Sequence, residues 1–93
     1  DTDFVRKSYE LNRAGMKQVT TGLAALGLEY IPSYGNFVSF RVLNAADVFQ
    51  RLLKFGVIVR PIASYGMHYH LRVSIGLESE NTRFLESLQQ AIA

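Results

Sequence analysis

Arg72 has the surroundings that most invite chemistry. Leu71, Val73 and Ile75 alternate with Arg72 and Ser74, the period-two pattern of a half-buried strand. A guanidinium presents a planar fork of donors that matches a carboxylate or phosphate bidentately. Spacing alone leaves two roles open: an anion contact on a strand face, or a solvent-facing, ion-paired arginine at a sheet edge, the commoner situation. Arg60 poses the same choice. It follows the apolar run Val57-Ile58-Val59 and precedes Pro61, so it is either an anion contact at a strand end or an exposed residue at a turn.

Other side chains offer less. His68 and His70 have the alternation of two ligands on one strand face, but zinc needs a third ligand and usually a fourth. The chain has no cysteine, and no carboxylate lies near these histidines in sequence, so no metal site is expected. The serines Ser33, Ser39, Ser64 and Ser74 sit in no G-x-S-x-G elbow. Tyr65 and Tyr69 are as suited to half burial as to lining a pocket. Tyr34-Gly35-Asn36 and Tyr65-Gly66-Met67 are turn signals, with neither a G-x-G-x-x-G nor a G-x-x-x-x-G-K-S/T phosphate loop around them.

These residues need a scaffold, and 93 residues allow one compact domain. The 48% hydrophobic and 19% charged composition excludes a disordered chain. A domain this small buries only about two-thirds of its unfolded surface, so support from a partner domain is expected. A net charge of +2, with basic residues scattered along the chain, does not suggest nucleic acid. No apolar run is long enough to span a membrane as a helix. A cytoplasmic protein is the expectation. The first residue is Asp1 rather than methionine, which suggests a piece of a longer protein.

Val5, Tyr9, Met16, Val19, Leu23 and Leu26 recur at spacings that combine threes and fours, with polar Asn12 filling the one gap, predicting a helix over 3–26 that Gly27 stops. Gly15 and Gly22 weaken its interior by about 1 kcal/mol each against alanine. A short strand is expected over 28–31, broken by Pro32, Ser33 and Gly35. Residues 36–42 then alternate, with Phe37, Ser39 and Arg41 on one face and Val38, Phe40 and Val42 on the other. Asn44 is placed to cap a second helix with Asp47 in its first turn; Val48, Phe49, Leu52 and Leu53 form its buried face and Gly56 ends it. Strands are expected over 57–59 and 71–75, and a final helix capped by Ser79 with Phe84, Leu85, Leu88 and Ile92 inward. The order helix, strand, strand, helix, strand, strand, helix predicts an α+β fold: a small, mainly antiparallel sheet with helices packed on one side.

Three stretches carry more than periodicity. One runs from Leu26-Gly27-Leu28 through Ile31-Pro32-Ser33 to Asn36-Phe37-Val38. The second is Gly56-Val57-Ile58-Val59-Arg60-Pro61. The third is Tyr65-Gly66-Met67, then Leu71-Arg72-Val73-Ser74-Ile75-Gly76, Glu78, Glu80-Asn81 and Phe84-Leu85. In this order they resemble the C-terminal, small domain of histidinol-phosphate aminotransferases, within the fold-type I pyridoxal-phosphate enzymes. The resemblance covers essentially all of residues 1–93 as one domain, with the large domain lying outside this chain.

The resemblance implies a role for Arg72, matching the family's L-R-[IV]-[ST]-[IVL]-G arginine, as the clamp on the substrate's carboxylate or equivalent anionic group. It implies that Arg60 lies toward the substrate's phosphate end. Residues 64–70 would border the site; His68 stands where the family often has proline. The first helix resembles the one linking large and small domains. The family's pyridoxal 5'-phosphate is held by a Schiff-base lysine, an aspartate and a phosphate cup. The family places all three in the large domain, and Lys7, Lys17 and Lys54 match no such motif. The chain is therefore expected to bind no cofactor and to be inactive alone. The implied whole is a homodimeric enzyme of histidine biosynthesis moving an amino group between histidinol phosphate and 2-oxoglutarate, with glutamate as the other amino acid. Two readings of other classes compete: a free-standing regulatory module that binds an amino acid, and a nucleic-acid module, whose binding would fall steeply with salt.

Overall fold

In a computed structural model, the backbone is described for residues 2–32, 36–62 and 69–93, and side chains for these residues apart from 2–9 and 32. Seven elements follow one another: α1 (Thr2–Ala25), β1 (Tyr30–Pro32), β2 (Phe37–Arg41), α2 (Ala45–Lys54), β3 (Arg60–Ile62), β4 (His70–Ser74) and α3 (Glu78–Ile92). The four strands form one sheet in the order β1-β2-β4-β3, with every neighbouring pair antiparallel. The α+β class expected from the pattern is the fold observed.

Alternation along the central strands decides which face is covered. Val38, Phe40, Leu71 and Val73 are buried on one face, where they meet Val19 and Leu23 of α1, Val48 and Leu52 of α2, and Phe84 and Leu88 of α3. Phe40 and Phe84 pack edge-to-face with ring centroids 5.5 Å apart, a favoured aromatic geometry. All three helices lie on this side. Phe37, Ser39, Arg41, His70, Arg72 and Ser74 alternate onto the opposite face, where each is half-buried or exposed.

Two helix ends set the phase of the strands that follow. Gly27 (φ 76°) and Gly56 (φ 78°) occupy the left-handed region. At each, the two hydrogen bonds of a Schellman cap form: Leu28 N–H to Leu23 O with Gly27 N–H to Ala24 O, and Val57 N–H to Leu52 O with Gly56 N–H to Leu53 O. The stops at Gly27 and Gly56 are those the sequence predicts. The strands after them begin later than predicted. β1 is Tyr30–Pro32 rather than 28–31, because the Leu28 N–H belongs to the cap. β3 is Arg60–Ile62 rather than 57–59, for the same reason at Val57. Pro32 and Pro61 are thus strand residues, tolerated because β1 and β3 are the sheet's edges.

The helix starts need two smaller corrections. Asn44 does occupy the N-cap of α2, yet its side chain makes no capping hydrogen bond. The N-cap of α3 is Leu77 rather than Ser79: the Glu80 carboxylate reaches back and accepts from the Leu77 N–H at 2.8 Å. A leucine has no side-chain acceptor, so only this half of a capping box exists.

Gly15 and Gly22 are contact points as well as weak spots in α1. A Cβ at Gly15 would sit 2.5 Å from Ile75 Cγ2, and one at Gly22 would sit 2.5 Å from Leu85 Cδ1. The missing side chains let α1 approach the end of β4 and the flank of α3. Nearby, the buried Asn81 ties three elements together. Its Oδ1 accepts from the Gly76 N–H (2.9 Å), and its Nδ2 donates to the Gly76 carbonyl (3.0 Å) and to Gln18 Oε1 (3.1 Å).

Candidate anion-binding face

The face of the sheet opposite the helices carries the residues of interest. Strand register places Ile31, Ser39, Arg72 and Arg60 in one transverse row across β1, β2, β4 and β3. Residues directly opposite in an antiparallel pair project to the same face, with Cβ atoms about 5 Å apart. Arg72 is therefore flanked by the Ser39 hydroxyl on one side and by Arg60 on the other. The buried Val57 and Val59 fix this phase on the β3 side, sending Ile58 and Arg60 to the opposite face.

The arginines of the chain differ in how their donors are used. Arg51 pairs with Asp47 at 3.1 Å and donates to the Ala91 carbonyl. Arg41 pairs loosely with Glu29 at 3.7 Å and lies 5.8 Å from the Tyr69 ring centroid. Arg83 donates to the Phe55 carbonyl at 2.7 Å. The side chains of Arg60 and Arg72 make no hydrogen bond and have no carboxylate within ion-pair distance among the described residues. The guanidinium of Arg72 instead lies over the Phe37 ring, 4.6 Å from its centroid.

Two like charges placed opposite each other on neighbouring strands disfavour the free state by a few tenths to about 1 kcal/mol. An anion lying between them removes that cost and satisfies the guanidinium donors. A phosphate monoester or a carboxylate has the planar or trigonal oxygen edge that such forks match. The sequence brought both arginines forward one at a time; their adjacency follows from register. Phe37 and Ser39, which the alternation of β2 places on the Arg41 face, are the other members of the candidate site. The signal for them lay in the β2–β4 pairing, which no local pattern encodes.

Other predicted positions contribute differently. His70 lies on the same face, opposite Arg41 and Ile62, and its Nδ1 is buried without a hydrogen-bond partner. His68, Tyr65 and most of the loop expected to border the site lie outside the described residues. Among the described residues there is no group of three metal-ligating side chains, and no helix is long and apolar enough to cross a membrane. Lys17 and Lys54 stand exposed on α1 and α2, in the helical layer rather than on the arginine face. The described residues of this chain therefore do not fit a pyridoxal-phosphate site.

Comparison with known proteins agrees with this architecture. Residues 1–88 match the family model for aminotransferase class I and II. A histidinol-phosphate aminotransferase from Methylobacillus flagellatus is 66% identical over 92 residues, covering 99% of this chain and 25% of that protein. Histidinol-phosphate aminotransferase 2 of Nitrosospira multiformis is 60% identical over 93 residues, covering 99% of this chain and 24% of that protein. The chain thus spans about a quarter of the length of the curated relatives it matches. Among solved structures, a histidinol-phosphate aminotransferase from Sinorhizobium meliloti in complex with pyridoxal-5'-phosphate superposes with a TM-score of 0.90. It has 21% identity and covers 99% of this chain and 26% of that one, a likeness of fold.

Proposed function

The chain belongs to the class I and II aminotransferases, and from that membership we propose that it is the C-terminal, substrate-clamping small domain of a pyridoxal-phosphate-dependent transaminase. The substrates of the whole enzyme are histidinol phosphate and 2-oxoglutarate, and its place is in histidine biosynthesis. The observation that carries this reading is the pair Arg60 and Arg72, opposite one another on the sheet face away from the helices, with no carboxylate neighbour among the described residues. High identity to histidinol-phosphate aminotransferases from two organisms supports the choice of substrate.

In this reading residues 1–93 are one domain, and a large domain outside this chain holds the cofactor lysine, its aspartate partner and the phosphate cup. No chemical step is assigned to this chain, and alone it is inactive. Its task is binding and orientation. Arg72 fixes the anionic group of the substrate by its planar fork, and Arg60 adds a second cation from the neighbouring strand toward the phosphate. Charge on both sides of the row holds that end of the substrate still, so that the reacting amino group is presented in one geometry. The whole enzyme is read as a cytoplasmic homodimer.

The test uses the full-length protein with histidinol phosphate and 2-oxoglutarate as substrates. Transamination is expected, and Arg72→Ala should lower kcat/KM by a factor that corresponds to about 2–5 kcal/mol, the cost of removing one partner of a desolvated charge pair. Absence of transamination would reject the substrate assignment. Unchanged kcat and KM in Arg72→Ala would remove Arg72 from the site. A reading frame that places this segment anywhere but the last quarter of the protein would reject its C-terminal position.

A further inference from the structure

An arginine that must capture an anion faces a positioning problem. Its side chain is long and flexible, and the usual remedy, a neighbouring carboxylate, consumes the donors and cancels the charge that the site requires. Arg72 is held differently. Its guanidinium carbon is 4.6 Å from the Phe37 ring centroid, well inside the distance of about 6 Å at which a cation and a ring face attract.

Register makes this contact possible. Phe37 opposes Ser74 and Arg72 opposes Ser39 in the β2–β4 pair, so Phe37 and Arg72 are diagonal neighbours on one face. Diagonal positions lie about 7–8 Å apart, within reach of an aromatic ring and a long side chain together. Phe37 is half-buried, which restrains the ring. A ring lying flat against the guanidinium would occupy its face and leave the edge, where all five N–H donors lie, free for an anion. Arg60, the like charge on the next strand, would otherwise drive Arg72 away when no anion is bound.

We propose that Phe37 is a positioning residue for Arg72, its ring holding the guanidinium plane so that the donor edge faces the anionic group of the substrate. The inference rests on the reading of Arg72 as the anion contact, and deepens it.

The experiment is steady-state kinetics of the full-length enzyme with histidinol phosphate varied, for Phe37→Leu, Phe37→Tyr, Arg72→Ala and the Phe37→Leu/Arg72→Ala pair. Leucine keeps an apolar side chain and removes the ring face; tyrosine keeps the face. Phe37→Leu should raise KM about threefold to tenfold, the span expected for losing one cation–ring contact, with kcat changed by less than about twofold. Phe37→Tyr should restore KM to within about twofold of the parent, because the ring face is what matters. In the Arg72→Ala background, Phe37→Leu should add nothing, since its effect passes through Arg72.

An unchanged KM in Phe37→Leu, an equal rise in the Arg72→Ala background, or a folded Phe37→Tyr that fails to recover would each overturn the proposal while leaving the role of Arg72 intact. An unchanged KM in Arg72→Ala would instead remove the reading on which it rests, and the proposal with it. Should Phe37→Leu be recovered unfolded, Phe37→Met carries the same comparison with a flexible side chain that packs without a ring.

Discussion

Arg60 and Arg72 oppose each other across the β3–β4 pair, two cations on adjacent strands and on one face. Such a pair is a small debt in the free protein and an asset when an oxyanion lies between. It follows that the two side chains act as a unit. In a double-mutant cycle on the full-length protein, Arg60→Ala and Arg72→Ala should be non-additive for histidinol phosphate, with a coupling of about 0.5–3 kcal/mol. The check is kcat/KM for the parent, both single variants and the double. Strict additivity would mean that the two arginines meet different parts of the substrate.

The same pair predicts an equilibrium effect that does not depend on turnover. An anion that binds the folded state and not the unfolded one raises stability by mass action. Inorganic phosphate should therefore raise the thermal midpoint of the full-length protein, and sodium chloride should weaken the rise by screening. The variant lacking both arginines should show only the general salting effect of phosphate on burial. An equal rise in parent and double variant would show that phosphate acts elsewhere.

Gly15 and Gly22 should respond unequally to alanine, although both lie inside α1. Alanine gains about 1 kcal/mol of helix propensity at either site. At Gly15 the new methyl meets Ile75 Cγ2 at 2.5 Å and Asn81 Nδ2 at 3.1 Å, the first on a buried β-branched side chain and the second in a hydrogen-bonded network. Neither yields cheaply, and overpacking of about 1–3 kcal/mol should outweigh the propensity gain. At Gly22 the methyl meets Leu85 alone, at Cδ1 (2.5 Å), Cδ2 (2.6 Å) and Cγ (3.0 Å), a half-buried side chain that can turn toward solvent. Gly15→Ala should unfold at lower denaturant than the parent and Gly22→Ala should lie close to it; the reverse order would contradict the packing.

Asn81→Ala should be the costliest of the polar changes near this junction. It removes the partner of both the Gly76 N–H and the Gly76 carbonyl, and it leaves Gln18 Oε1 without its donor from Asn81. Gly76 is exposed and Gln18 half-buried, so water partly replaces the lost partners and the cost should lie near the net worth of one hydrogen bond, about 1 kcal/mol. Asn81→Asp keeps an acceptor for the Gly76 N–H but sets a carboxylate oxygen against the Gly76 carbonyl, so it too should destabilise. Chemical denaturation of the two variants tests this, and a loss below about 0.5 kcal/mol, the scale of ordinary surface substitutions, in both would show that the network is dispensable.

Much of this architecture was legible before any coordinates. Period-two alternation separates Val38 and Phe40 from Phe37 and Ser39 in one strand, and Leu71 and Val73 from Arg72 in another, because successive strand residues point oppositely whatever the strand pairs with. Gly27 and Gly56 marked helix ends, since their freedom at positive φ is a property of the residue itself. The Arg72 strand was recognisable from a local motif. The strands after α1 and α2 start later than the apolar pattern predicts, because Leu28 and Val57 look like strand residues while their N–H groups are bound back to the preceding helix.

Tertiary structure alone decided who stands beside whom. That Arg60 faces Arg72, that Phe37 lies beneath its guanidinium, and that Gly15 touches Ile75 all depend on register and on helix docking. These relationships join residues far apart in the chain. Hydrogen-bond ladders and close packing select them by the fit of whole elements, and a one-residue slip of β4 would turn Arg72 toward the core.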